Sequence, residues 1–370
     1  MLAIHVLNVG HGDSIILEYR ANAELAFAVI DSNSRIGLKP RALEKLGVLG
    51  AQSLSFVAIT HPHADHYMGM RAIMEAYKGR IDNIYTFPVD RDRQRLKKLA
   101  EAYKRTIDIT DSETVGTQAA EFIHILRLAK GVKVWETPAG TINRLPSPGF
   151  SDVKIYSILP PARVKGDYFQ EIVTGKLQLE TPKQNELSLA FLIQYRGFNI
   201  VLGGDGTYGN WIYQRKRLPA VGVTLASVAV KLPHHGSKQD CHDNVLDLLY
   251  QGSALTEKAP IGCISADGRS HPHPEVLDNL RKRGIKPYCT NLAKRCGANL
   301  HELTQAPNID PVLVRFINSV AVDSSDKTRQ ACQGDITIHI DDESLLSIKT
   351  QYQHPCPLRG DYSFLGNIIN

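Results

Sequence analysis

Residues His61-Pro62-His63-Ala64-Asp65-His66 form an H-x-H-x-D-H pattern directly behind the apolar run Phe56-Val57-Ala58-Ile59. Three imidazoles and a carboxylate within six residues are poor packing material, because each costs free energy if buried without a partner. They are the usual ligands of zinc and similar divalent ions. On a loop leaving a strand, His61 and His63 can point one way while Asp65 and His66 point another. That division suits two ions side by side. The competing reading, a polar loop with chance histidines, does not account for the spacing.

Four further segments follow in order: Leu7-Asn8-Val9-Gly10-His11-Gly12-Asp13-Ser14, Gly203-Gly204-Asp205, Leu232-Pro233-His234-His235-Gly236-Ser237 and His271-Pro272-His273-Pro274-Glu275. With the first motif, they resemble the metallo-β-lactamase superfamily, and within it the hydrolase domain of ComEC-type DNA-uptake proteins. The resemblance extends to Gly334-Asp335-Ile336-Thr337-Ile338. It implies an α/β chain folded as an αββα metallo-β-lactamase sandwich, with helical and loop insertions. The whole chain, 1–370, is expected to form one such domain, with insertions at roughly 90–150 and 292–331.

The residues themselves suggest roles. Asp205 follows Ile200-Val201-Leu202 and two glycines, where a carboxylate can bridge two cations. His61, Asp205, the His234/His235 pair and His271 each follow a β-run closely, and sites in open α/β sheets form where strand ends meet loops. The superfamily commonly places a ligand histidine directly before glycine, which favours His235 over His234, although the order of the two stays open. The metal set is thus His61, His63, Asp65, His66, Asp205 and His235. The catalytic set is Asp65, His234 and His271, with Asp65 orienting the nucleophile or accepting its proton. His234 faces the substrate or supports a ligand. His271 lies just before a helix start, where free N–H groups favour anions, and binds substrate, donates a proton or is structural. Asp31 at a strand end, and more weakly Asp13, are candidates to hold a ligand imidazole in its tautomer. Superfamily lactamases supply a further metal histidine before Asp205. Here the region reads Asn185-Glu186-Leu187-Ser188, as in ComEC-type members, which counts against lactam hydrolysis. His124 lies in a helical pattern and reads as structural.

An apolar fraction of 43% and a charged fraction of 22% are those of a globular chain with a sizeable core. Nothing approaches the run of about 18 apolar residues that a membrane helix needs, and the N-terminus carries no secretory pattern. The expectation is therefore a cytoplasmic protein with no membrane partner, unlike the DNA-uptake proteins. The six cysteines lack any C-x-x-C pair and read as reduced thiols. A net charge of +5 is concentrated in Arg91–Lys98, Arg215-Lys216-Arg217 and Arg281-Lys282-Arg283 with Lys286. Such clusters attract polyanions, though each also reads as a solvated helix face.

Along the chain, alternation predicts strands at Ala3–Leu7, Ser14–Tyr19, Ala26–Ile30, Val153–Leu159, Leu189–Tyr195, Asn199–Leu202, Ser227–Leu232, Ile261–Ser265 and Asp335–Ile340. Met70, Ile73, Met74 and Tyr77 follow helical spacing, as do Arg93–Tyr103, Val115–Ala129 and the stretch from Pro274 to Gly284. Residues 162–184 show no clear period and read as a loop near the site mouth. The expected function is a hydrolase that activates water with two divalent ions, zinc or manganese. A phosphodiester in nucleic acid, DNA or RNA, is the expected substrate. The alternatives are a small-molecule phosphodiester or lactone/ester hydrolase, or a metal-stabilised binding module.

Overall fold

Alternation along the strands decides which layer each side chain joins. In β4 (Leu54–Ile59), Val57 and Ile59 face outward to helices, while Phe56 and Ala58 face a second sheet. In β9 (Ala190–Tyr195), Phe191, Ile193 and Tyr195 face inward, and Ala190 and Leu192 face outward. Burying each large apolar side chain contributes about 1.5–3 kcal/mol, so strands covered on both faces are fixed in register. The computed structural model describes residues 1–21, 24–35, 38–87, 112–132, 134–174, 181–253, 259–267, 270–292, 332–353 and 356.

The first sheet has the order β15-β14-β1-β2-β3-β4-β5-β6. Its members are β1 (Leu2–Val6), β2 (Ser14–Ala21), β3 (Glu24–Ser32), β4, β5 (Ile81–Thr86), β6 (Val134–Glu136), β14 (Ile336–Ile340) and β15 (Leu346–Thr350). The second runs β13-β12-β11-β10-β9-β8-β7, from β7 (Asn143–Arg144) and β8 (Lys154–Leu159) through β9 to β10 (Phe198–Leu202), β11 (Ala229–Lys231), β12 (Ile261–Ile264) and β13 (Lys286–Cys289). Strands β3 to β6 are mutually parallel, as are β10 to β13.

Helices α1 (Arg41–Leu49), α3 (Met70–Ala76) and α4 (Ser112–Ala129) cover the outer face of the first sheet through Ala42, Leu46, Met70, Ile73, Met74, Phe122 and Ile125. The one-turn helix α2 (Ala64–Tyr67) lies within the histidine motif. On the second sheet the cover is α7 (Tyr208–Arg217), α8 (Asp243–Tyr250) and α9 (Pro274–Lys282), anchored by Trp211, Val245, Leu249, Val276 and Leu277. Three apolar layers therefore separate four layers of structure, and the expected αββα sandwich is the observed fold.

Several details differ from the sequence reading. Residues 162–184 are not a loop: α5 (Ala162–Thr174) and α6 (Thr181–Glu186) occupy most of the stretch. Val164 and Tyr168, one turn apart, pack on the first core layer, a stripe too narrow to show as a period. The excursion after residue 90 contributes an edge strand to each sheet, β6 and β7. The expected helix Arg93–Tyr103, the cluster Arg91–Lys98 and nearly all of 292–331 lie outside the described residues.

Candidate metal centre

The carboxyl ends of parallel strands from both sheets meet at one end of the sandwich. From β4 the chain passes Thr60 into His61–His66, from β10 into Gly203-Gly204-Asp205, and from β11 into a 3-10 turn, Pro233–Gly236. His234 and His235 both take left-handed backbone conformations, φ 44° and 53°. Such strain costs about 1–3 kcal/mol per residue and collects at functional sites. Gly204, at φ 52°, lies so close to β9 that a Cβ would sit 2.3 Å from the Leu189 carbonyl oxygen. Only glycine lets Asp205 enter there, and the Asp205 N–H then donates to Ser188 Oγ at 2.9 Å.

Asp205 is central. His66 Nε2 lies 3.5 Å from its Oδ1; His235 Nε2 lies 3.5 Å and His61 Nε2 3.7 Å from its Oδ2. His61 Nε2 is 2.9 Å from His63 Nδ1. Asp65 Oδ2 lies 3.5 Å from His66 Nε2 and 3.6 Å from His235 Nε2. Among the described residues, His61/His63/Asp205, His66/Asp205/His235, His11/Asp65/His235 and Asp13/Asp31/His66 each have ligand atoms clustered closely enough to hold an ion, and the first two share Asp205. Bonds of about 2.0–2.2 Å to one tetrahedral ion place its ligand atoms about 3.4 Å apart, which matches most of these separations. Among the described residues, His66 Nε2, Asp205 Oδ1 and both ring nitrogens of His235 are buried without a hydrogen-bond partner. Burying such atoms unpaired is costly, and a divalent ion would satisfy His66 Nε2, His235 Nε2 and Asp205 Oδ1, so these residues fit the expected metal.

Outer partners aim the imidazoles. Asp31 Oδ2 accepts from His66 Nδ1 at 2.7 Å, and the same carboxylate accepts from the Thr60 N–H at 2.8 Å and the Thr60 hydroxyl at 2.6 Å. Nε2 of His66 is thereby left facing inward. Asp13 Oδ1 lies 3.6 Å from His235 Nδ1, and its other oxygen accepts from the buried Lys231 ammonium. Burial pushes the Asp205 carboxyl up, but the charges of His235 and His66 outweigh it and hold it well below the carboxylate range. Burial likewise opposes ionisation of Asp65, and His66 and His11 overcome it. His63, desolvated, falls to about 4 and stays a neutral ligand at pH 7.

The six expected metal residues therefore converge. His234 stands at the rim, its Nδ1 donating to Asp240 Oδ2 at 2.6 Å and its Nε2 3.8 Å from Asp205 Oδ2. His271 stacks on it with ring centroids 5.6 Å apart. His124 does not join the site and contacts Glu75 at 3.3 Å, as a structural residue would. The second and third basic clusters are also elsewhere. Helices α7 and α9 start at the site, and their basic residues occupy the last turn or the residue beyond it. At 1.5 Å per residue that is about 10–13 Å along each helix. Arg283 is further engaged by Asp243 and Asp247, and Arg215 by Asn244.

Three residues of the site escaped the sequence reading. His11 Nε2 lies 3.1 Å from Asp65 Oδ2, and its Nδ1 lies 3.6 Å from Asp267 Oδ2. Those two carboxylates, Asp267 first, raise the imidazole to about 10. Lys231, within an apolar strand, is fully buried. Only its position one residue before the Leu232–Ser237 motif could have drawn attention to it.

The sequence matches no protein-family profile and no curated protein. Solved structures do match in shape. A CmlA β-hydroxylase variant shares 12% identity over 79% of this chain, at a TM-score of 0.41, and the match spans only 52% of its length. The metallo-β-lactamase fold protein YhfI from Bacillus subtilis shares 12% identity over 79% of this chain and 97% of its own, at 0.39. Human tRNase Z, short form, shares 12% over 80% of this chain and 94% of its own, at 0.35. At such identities and scores the likeness reaches neither reaction nor substrate.

Proposed function

We propose that this protein is a hydrolase that holds two divalent ions and cleaves a phosphodiester. The observation that carries the reading is Asp205, a buried carboxylate whose Oδ1 faces His66 and whose Oδ2 faces both His61 and His235, with His63 beside His61. His61, His63 and Asp205 would hold one ion; Asp65, His66, Asp205 and His235 would hold the second. Zinc suits the imidazoles, and manganese suits the carboxylate share. Bound there, the ions would lower the pKa of water to about 7 and offset charge on phosphoryl oxygens.

The chain's own groups do the rest. Asp31 fixes the orientation of His66 by a hydrogen bond, and Asp13 stands beyond hydrogen-bond reach of His235 Nδ1 as a nearby negative charge. Asp65, whose Oδ2 lies 3.5 Å from His66 Nε2 and 3.6 Å from His235 Nε2, would orient the attacking water or accept its proton. His234 and His271 form the wall facing substrate, where an imidazole N–H can meet a phosphoryl or leaving-group oxygen. Beside the His234/His271 pair lie further polar groups, His273 against His271 and the Lys238 N–H against His273, whereas a lactone favours an apolar pocket.

Nucleic acid is the first substrate to test, in keeping with the ComEC-type motifs. A small phosphodiester is the second reading, and the position of the basic clusters at the far helix ends favours it. The test is metal analysis of wild type and Asp205→Ala, then assay on DNA, RNA, bis-p-nitrophenyl phosphate and a lactone. About two ions per chain, lost in the variant, and phosphodiester turnover are expected. Unchanged metal content in the variant, or turnover of the lactone alone, refutes the proposal. Nucleic-acid binding with a slope of about −0.7 to −0.9 per phosphate contact in log K against log salt, lost on neutralising Arg215–Arg217, would favour the polymer.

A further inference from the structure

We propose that His11 is a positioning residue for the ion set of Asp65, His66, Asp205 and His235, and that it acts by locking Asp65 against Asp267. The inference rests on the two-ion reading above and adds a residue to it. His11 lies between Gly10 and Gly12, both at positive φ (76° and 99°), in the turn that joins β1 to β2. That turn presses onto the histidine motif: the Asp13 N–H donates to the Asp65 carbonyl at 3.3 Å. Asn33 Nδ2 donates to the His11 carbonyl at 2.5 Å. The backbone is held on both sides of the imidazole.

Three imidazoles converge on the same oxygen, Asp65 Oδ2. His66 and His235 approach at 3.5 and 3.6 Å, the separation of groups sharing an ion, and His11 comes nearer, at 3.1 Å. A carboxylate oxygen has two lone pairs, so one can serve an ion while the other faces His11. The far side of the ring meets Asp267 at 3.6 Å. Asp267 is itself fixed, its Oδ1 accepting from the Ser270 and His271 N–H groups, each at 2.8 Å. Asp65 belongs to a loop of the first sheet and Asp267 to a loop of the second. His11 thus spans the two halves of the site and sets the angle of one metal ligand from the other sheet.

Equilibrium titration of the metal-free full-length protein with cobalt(II), read by its visible spectrum, tests this. Wild type, His11→Ala, His11→Gln and Asp267→Asn would be compared, each with a metal-free thermal melt. Partners outside the ligand set are worth about 10–100-fold in metal affinity. His11→Ala should weaken one ion by that factor and leave the other unchanged. His11→Gln, whose amide can still reach Asp65, should recover most of the loss, and Asp267→Asn should show a smaller one. Should His11→Ala fail to fold, Asp267→Asn reads the loss in its place. Wild-type affinity for both ions in His11→Ala, or in Asp267→Asn if His11→Ala does not fold, overturns the proposal. Equal weakening of both ions or a fall in stoichiometry from two to one, which would make His11 a ligand, does so as well. If wild type itself fails to bind two ions, it is the two-ion reading that falls.

Discussion

Replacing Gly12 with alanine should damage the site out of proportion to the single methyl added. Gly12 stands at φ 99°, and a Cβ there would lie 2.1 Å from the Asp65 carbonyl oxygen and 2.8 Å from Asp65 Cβ. Ordinary contact begins at 3.4 Å, so turn and motif must part by 3.4 − 2.1 = 1.3 Å. The backbone strain costs about 1–3 kcal/mol, and the lost Asp13–Asp65 hydrogen bond about 1 kcal/mol. Misplacement by about 1 Å costs on the order of 10²-fold in rate. Gly10→Ala is the internal control, because Gly10 has a similar φ of 76° but nothing within 4 Å of its added Cβ. It should lose about 1–2 kcal/mol by urea unfolding and keep its metal. Gly12→Ala should lose more stability, and its affinity for the Asp65-side ion should fall. Equal behaviour of the two variants, or wild-type metal affinity in Gly12→Ala, would refute the reasoning.

Asp65→Asn keeps the shape but removes the charge, so turnover should fall by about 10²-fold or more with an unchanged circular dichroism spectrum; near-normal turnover would contradict its role. Trp211, fully buried behind the Asp205 loop and donating from Nε1 to the Gly206 carbonyl at 3.0 Å, should cost about 3–5 kcal/mol on truncation to alanine, measured by urea unfolding. Burial opposes ionisation of Glu18, yet hydrogen bonds from His5 and Arg20 hold its carboxyl below the ordinary 4.5. A depressed carboxyl stabilises the fold above its unfolded pKa, and that contribution is lost as pH falls through the folded value. Glu18→Gln should therefore flatten the acid limb of the melting temperature between about pH 5 and pH 2. A limb as steep as that of wild type would remove Glu18 from the account.

The metal loop was legible because its ligands are adjacent in sequence and behind an apolar run. Asp205 and His235 were legible because strand-then-glycine marks a sheet end. The outer partners were harder to see. Lys231 meets Asp13 across 218 residues, and His11 meets an aspartate that no motif flags. Pairings at that range depend on which sheets face each other, which local pattern does not carry. Helix α5 was missed although Val164 and Tyr168 stand one turn apart on the core, and α6 because its sequence, Thr181–Glu186, is polar and carries no apolar period. The second and third basic clusters sit farther along their helices than their closeness in sequence to the site suggested. Closeness in sequence to Asp205 and His271 suggested closeness in space, but a helix that begins at a site carries its last turn away from it.

The proposed ligand set is divided between the sheets: His61, His63, Asp65 and His66 hang from the first, Asp205 and His235 from the second. Any ion held among them is a tie across the sandwich at one end. Away from that end the two sheets meet through apolar residues such as Tyr19, Phe150 and Tyr195, with polar links such as Arg196 to Asp342. Metal occupancy and the spacing of the layers would then be one mechanical variable. Chelation would remove that tie and leave this end to the Lys231–Asp13 ion pair and the Leu189–Thr60 backbone bond.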